Sequence, residues 1–192
     1  MRKILIVAPN WIGDALLAQP LFARLKQKYP GATLNAIAPP WTAPVLERMP
    51  EIDASLSLPF GHGELKLRER WWWGRLLRIR PYDEAIVLPN TIKSALIPFF
   101  AGIPVRTGFV GELRYGLLNR MHKLDEKALP LMAERYAKLA EEPGEPPARP
   151  LAEVRLRVDS TNLARELERL GLTREKPVVA FCPGAEYGPA KR

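Results

Sequence analysis

Ile4-Leu5-Ile6-Val7-Ala8-Pro9-Asn10-Trp11-Ile12-Gly13-Asp14 decides how the rest of the chain is read. Its first five residues are uniformly apolar and rich in β-branched side chains, and Pro9 and Asn10 end the run. That is the pattern of a parallel strand buried on both faces. Beyond it, Leu16, Leu17, Leu21, Phe22 and Leu25 recur at helical spacing, which predicts a helix over 14–29 that Pro20 kinks or breaks early. Working outward, the same unit repeats. Strands are predicted at 33–38, 54–58, 84–88 and 105–108, and helices at 43–49, 68–79, 92–101 and 129–141. Strand and helix in alternation predict an α/β fold, a Rossmann-like parallel sheet covered by helices.

Composition narrows the class further. An apolar share of 47 % with 26 % charged residues fits a water-soluble chain able to bury a core, and excludes disordered, collagenous and disulfide-scaffold proteins. The single cysteine, Cys182, can form no internal bridge, which fits a reducing compartment. No apolar run approaches the roughly 20 residues of a spanning helix, so any membrane contact is expected to be peripheral and the location cytoplasmic. Residues 4–8 are too short for a signal peptide. Lys and Arg exceed Asp and Glu by 29 to 21, a net charge of +8 that favours an anionic partner. Nucleic acid is not expected, because no nucleic-acid module is evident.

Residues 142–150 (Glu-Pro-Gly-Glu-Pro-Pro-Ala-Arg-Pro) read as a surface connector. A helix over 160–170 follows, with Asp159 or Ser160 as cap and Gly171 as stop. The predicted division is a first domain over 1–171, connector included, and the first strand and loop of a second domain over 172–192. Cys182 is expected to pack on that strand.

Ligands of open parallel sheets sit beyond the carboxyl ends of the strands. The loop after the first strand has one glycine, Gly13, rather than a dinucleotide-binding triplet. It places Asp14 at a helix start, either as an N-cap or as a general base whose proton affinity is raised by burial beside Trp11. The five aspartates are scattered (14, 53, 83, 125, 159), with no Asp-x-Asp pair and no His/Cys cluster, so no metal or other cofactor is expected. His62 reads as a turn residue. Position adds Lys93 and Ser94, at a helix start after the fourth strand, as acceptor contacts or cap chemistry. Arg106, Arg114 and Arg120 are expected either to line an acceptor cleft or to pair with surface carboxylates. Lys66, Arg68, Arg70 and Arg75 surround Trp71, Trp72 and Trp73, a mixture suited to a membrane interface with anionic lipid or to a polyanionic sugar. The plainer reading is a helix with one Trp in the core and a solvated cationic face, though three adjacent indoles cannot all enter one core.

Several stretches resemble the lipopolysaccharide heptosyltransferase II family (glycosyltransferase family nine). They are Trp11-Ile12-Gly13-Asp14, Ala18-Gln19-Pro20-Leu21, Ala38-Pro39-Pro40-Trp41 and Leu58-Pro59-Phe60-Gly61-His62-Gly63. Leu88-Pro89-Asn90-Thr91-Ile92-Lys93-Ser94-Ala95 and Gly102-Ile103-Pro104-Val105-Arg106-Thr107-Gly108 match as well, and so does the tail from Cys182 to Arg192. The resemblance implies the N-terminal half of a two-domain GT-B glycosyltransferase. Such an enzyme transfers heptose from ADP-heptose, with inversion and without a metal, to the first heptose of a heptosyl-Kdo2-lipid A acceptor. It would work on the anionic inner face of the inner membrane. The resemblance further implies Asp14 as catalytic base, Trp11 and Gly13 as acceptor contacts, and Lys191 and Glu186 as donor contacts. Heptosyltransferase I or another ADP-heptose-using relative is the alternative within the fold. A non-catalytic acceptor- and membrane-binding module is the alternative outside it.

Overall fold

A computed structural model describes residues 1–60, 63–173, 175 and 177–181. Strand β1 (Lys3–Val7) sorts the two faces of the sheet: Ile4 and Ile6 are buried on one side, Leu5 and Val7 on the other. On one flank of β1 lie β2 (Thr33–Ala38) and β3 (Ala54–Ser57). On the other lie β4 (Glu84–Val87), β5 (Val105–Phe109) and β6 (Arg120–His122), and every pairing is parallel. The order β3-β2-β1-β4-β5-β6 is the Rossmann-like one, with its topological switch between β1 and β4.

Helices α1 (Ile12–Leu17), α2 (Gln19–Lys28), α3 (Ala43–Leu46) and α6 (Met132–Lys138) contribute to the core on the Ile4 face. Helices α4 (Leu67–Leu77) and α5 (Ile92–Phe100) cover the Leu5 face. The helix predicted over 14–29 is two helices, with Pro20 in the first turn of the second, where its missing N–H has no partner to lose. Gly74 on α4 sits against α5 so closely that a Cβ would stand 2.5 Å from the Phe100 Cβ.

The unpredicted strand β6 is too short to show alternation, and a buried charge cluster accompanies it. Glu84, the first residue of β4, is fully buried. Its Oε2 accepts from Arg2 Nη2 at 2.7 Å, and its Oε1 accepts from Thr107 Oγ1 at 2.8 Å and from Arg120. Arg120 Nε in turn donates to Thr107 Oγ1 at 2.8 Å. Beside this cluster His122 is fully buried, and neither ring nitrogen has a hydrogen-bond partner among the described residues. Burial, then the positive charges of Arg120 and Lys138, press its pKa down to about 4.

The chain forms two compact units, Met1–Arg157 and Val158–Arg192. Residues 142–150 hold no helix or strand, as the connector reading expects. Just before the first unit ends, the Gln19 amide clamps the backbone of Arg155, accepting its N–H at 2.9 Å and donating to its carbonyl at 2.6 Å. In the second unit, α7 (Ser160–Leu170) is capped by the Asp159 carboxylate, which accepts from the N–H groups of Thr161 and Asn162 at 3.0 Å, and Gly171 closes it at φ 65°. The helix therefore groups with the second unit, where the sequence reading placed it before a boundary at 171. Residues 177–181 belong to no strand. Cys182, Glu186 and Lys191 lie outside the described residues, as does His62.

Replacing Glu84 with alanine is expected to cost about 3–5 kcal/mol in denaturant unfolding, since two arginines lose their buried counter-charge. His122 gives stability a pH dependence. The unfolded chain protonates near 6.5 and the folded one near 4, so stability is full above 6.5 and falls by about 3 kcal/mol as pH drops through this window. His122→Leu is expected to remove that part of the pH dependence, measured by chemical unfolding at pH 7 and pH 4.5.

Candidate active site

The carboxyl ends of β1, β4 and β5 surround a cleft of about 370 Å³ at the switch point. That volume suits a sugar-sized ligand. Asn10, Trp11 and Asp14 line one wall, Asn90 and Thr91 the floor, and Arg135 and Tyr136 of α6 the other wall. Asp14 occupies the third position of α1, half-buried. The cap reading of this residue does not hold: Trp11 is the N-cap, and no side chain caps the helix. The negative end of Asp14 is instead felt across the cleft. Burial first, then the Asp14 charge, push the Tyr136 phenol upward, so that it remains a protonated donor. A Cβ added at Gly13 would meet nothing within 4 Å, and its φ is not left-handed. The fold itself therefore does not require glycine there.

Three loops are pinned so that this wall keeps its shape. The Asn10 carbonyl accepts from Trp41 Nε1 at 2.7 Å and from Thr42 Oγ1 at 3.0 Å. Under the floor, the guanidinium of the buried Arg114 donates to the carbonyls of Pro89 at 2.9 Å and Phe109 at 2.6 Å, and to Asn90 Oδ1. It ties the loop after β4 to the end of β5. Gly111 permits the approach, because a Cβ there would stand 2.6 Å from the Asn90 amide. Burial lowers the Arg114 pKa from its usual value, and the charge of Glu112 opposes that shift.

A second, smaller cavity of about 60 Å³ adjoins the cleft and shares Asn10, Pro89 and Thr91 with it. Lys93, Ser94, Phe60 and Arg70 line it. Ser94 is held inward, its hydroxyl directed at the carbonyls of Pro89 and Thr91 at 2.9 and 2.6 Å. Arg70, expected at a lipid surface, is buried here instead. It donates to the carbonyls of Leu65 at 2.6 Å, Lys93 at 3.2 Å and Glu64 at 3.2 Å, and stacks 4.4 Å from the Phe60 ring. Its helical position, one turn before Gly74 and two before Leu77, turns it inward with them.

The structure thus brings Trp11, Asp14, Lys93 and Ser94 to two adjoining cavities, and leaves the three other arginines off their lining. Arg106 lies near the start of β5, its guanidinium donating to the carbonyls of Leu117 and Ile103 at 2.6 Å. Arg114 is beneath the floor. Arg120 takes the carboxylate-pairing option, with the buried Glu84 and the exposed Glu142. The sequence reading did not single out Asn90, Arg135 and Tyr136 as site residues. Asn90 follows directly from its place at the switch-point loop, whereas α6 carries no local signal that it closes the cleft.

A model of glycosyltransferase family 9 (heptosyltransferase) matches residues 70–192. The chain belongs to glycosyltransferase family 9. Among family members, the lipopolysaccharide heptosyltransferase 2 of Escherichia coli is 47 % identical over 195 residues, covering 99 % of this chain and 56 % of the relative. The lipooligosaccharide heptosyltransferase 2 of Haemophilus ducreyi is 43 % identical, with the same coverage. The solved structure of E. coli ADP-heptose lps heptosyltransferase II superposes with a TM-score of 0.88 at 43 % identity, over the whole of this chain and 57 % of that one. The chain therefore spans about half the length of the family members it matches, and its α/β fold corresponds to part of their GT-B architecture.

Arg114→Met is expected to lower stability by about 3 kcal/mol, the scale for stranding buried acceptors of a charged donor. Arg114→Lys is expected to rescue little of it, since one ammonium cannot reproduce the planar fork. Thermal unfolding of both variants checks this.

Proposed function

We propose that this chain forms the acceptor-binding half of a heptosyltransferase of lipopolysaccharide core assembly. The reaction proposed is inverting, metal-independent transfer of L-glycero-D-manno-heptose from ADP-heptose to heptose I of a heptosyl-Kdo2-lipid A acceptor. It takes place at the cytoplasmic face of the inner membrane. The observation that carries the proposal is Asp14, half-buried on the wall of a sugar-sized cleft at the switch point of the sheet. Family membership and relatives named for heptosyl transfer supply the reaction class.

In a single inversion, the Asp14 carboxylate takes the proton of the acceptor hydroxyl as its oxygen bonds to the anomeric carbon. The bond from that carbon to ADP breaks, and its electron pair leaves with the diphosphate. Tyr136, kept protonated, is a hydrogen-bond donor on the facing wall. Trp11 lines the same cleft, and Gly13 is assigned to the acceptor on the family resemblance alone. Lys93 offers a cation in the adjoining cavity for the phosphates or carboxylates of the acceptor. Glu186 and Lys191 are assigned to the donor on the family resemblance alone. The proposal calls for no metal ion. Among the described residues no helix is long and apolar enough to cross a membrane.

The test joins this chain to the remaining portion of its E. coli relative and measures heptose transfer from ADP-heptose. Asp14→Ala is expected to lower kcat about 100-fold or more with little change in acceptor KM. Turnover within a few-fold of the parent would remove Asp14 as the base, and no transfer by the parent chimera would remove the proposed activity.

A further inference from the structure

Helix α4 presents an unusual outward face. Arg70, Gly74 and Leu77 recur at helical spacing and are buried, and Trp73 is half-buried against the same core. On the opposite side stand Arg68, Trp72, Arg75 and Leu76, flanked by Trp71. A solvent-facing helix surface is ordinarily polar. Here Trp71 and Trp72 are half exposed, at 50 and 53 %, and Ile79 just past the helix is 76 % exposed. Arg75 lies 5.6 Å from the centroid of the Trp71 ring, four residues away, and Trp72 meets Trp73 edge-on at 5.4 Å.

This face borders an apolar groove of about 900 Å³, walled by Phe60, Leu67, Trp71, Trp72, Trp73 and Phe100. Lys66 and Arg68 stand on its rim, against one carboxylate on the same rim, Glu69; Glu64 is paired to Lys66 at 2.8 Å. Beyond Trp73 a second apolar groove of about 290 Å³ continues along Leu76 and Ile79. Indole settles at the boundary between headgroups and acyl chains, and arginine keeps its guanidinium at phosphate depth while its stem stays in the apolar layer. A helix of 11 residues is about 16 Å long, far short of a span but suited to lying in the interface plane.

We infer that the outward face of α4 and its adjoining groove form a membrane-docking surface, which seats Trp71 and Trp72 in the acyl boundary of an anionic phospholipid bilayer while Arg68, Arg75 and Lys66 meet lipid phosphates. The positive charge of this face selects an anionic bilayer over an apolar protein partner. Trp73 stays with the protein core, and Arg70 holds the helix start instead of touching lipid. Phe60 belongs both to the groove and to the small cavity of Lys93, which in turn adjoins the Asp14 cleft. Docking on α4 therefore sets the site beside the bilayer surface. That consequence, unlike the docking itself, rests on the proposed lipid-linked acceptor.

The test uses the 192-residue chain with vesicles of phosphatidylcholine, alone or mixed with phosphatidylglycerol. Sedimentation is expected to show binding at least about tenfold tighter to the anionic vesicles. Brominated acyl chains in those vesicles are expected to quench indole emission. The double variant Trp71→Ser/Trp72→Ser is expected to lose about tenfold or more in binding, and most of the quenching, with an unchanged melting curve. Should that variant misfold, the surface pair Arg68→Glu/Arg75→Glu decides, with loss of the anionic preference and all indoles in place. Equal binding to both vesicle types, absent quenching in the parent chain, or charge-reversed protein that still prefers anionic vesicles would overturn the inference. So would a parent dimer that the tryptophan variant dissolves, since the face would then join two copies. Asp14→Ala is expected to bind vesicles as the parent does, so docking and heptose transfer fail or succeed separately.

Discussion

The buried carboxylate of Glu84 is the constraint on which the far half of the sheet depends. It stands at the amino end of β4, where an ion without counter-charge would cost several kcal/mol. Arg2 reaches it from ahead of β1, Thr107 from β5 and Arg120 from β6, so one carboxylate gathers four segments distant in sequence. Because this cluster lies at the amino ends, the opposite ends are left to loops. Those loops are where a parallel sheet can hold chemistry.

At the opposite end the fold relies on arginines used differently. Arg70 and Arg114 are both buried, and backbone carbonyls rather than carboxylates fill most of their donor positions. A carbonyl satisfies an N–H without cancelling the charge. The loops they organise border the two cavities that hold Lys93 and Asp14.

The alternation of apolar strands and amphipathic helices made five of the six strands and the sheet class legible, because each leaves a periodic trace in its own residues. Pro20 likewise announced the break between α1 and α2. What stayed hidden was non-local. Nothing within Arg120-Met121-His122 says strand; its place is argued by Glu84, 36 residues earlier. The same holds for the basic residues. Asp14 and Trp11 could be placed in the cleft from the strand-end loop alone. For Arg70, Arg106, Arg114 and Arg120, charge suggested a ligand while the destination of each guanidinium depended on which carbonyls or carboxylates folding brought near.

Gly74 has a mechanical consequence. With no side chain between them, α4 and the backbone of α5 rest nearly atom on atom, so α4 has little freedom to roll about its own axis. The bearing of the indoles is thus inherited from the sheet beneath. On a bilayer, such an edge behaves like a keel fixed to a hull: the whole first unit tilts, and the cleft tilts with it.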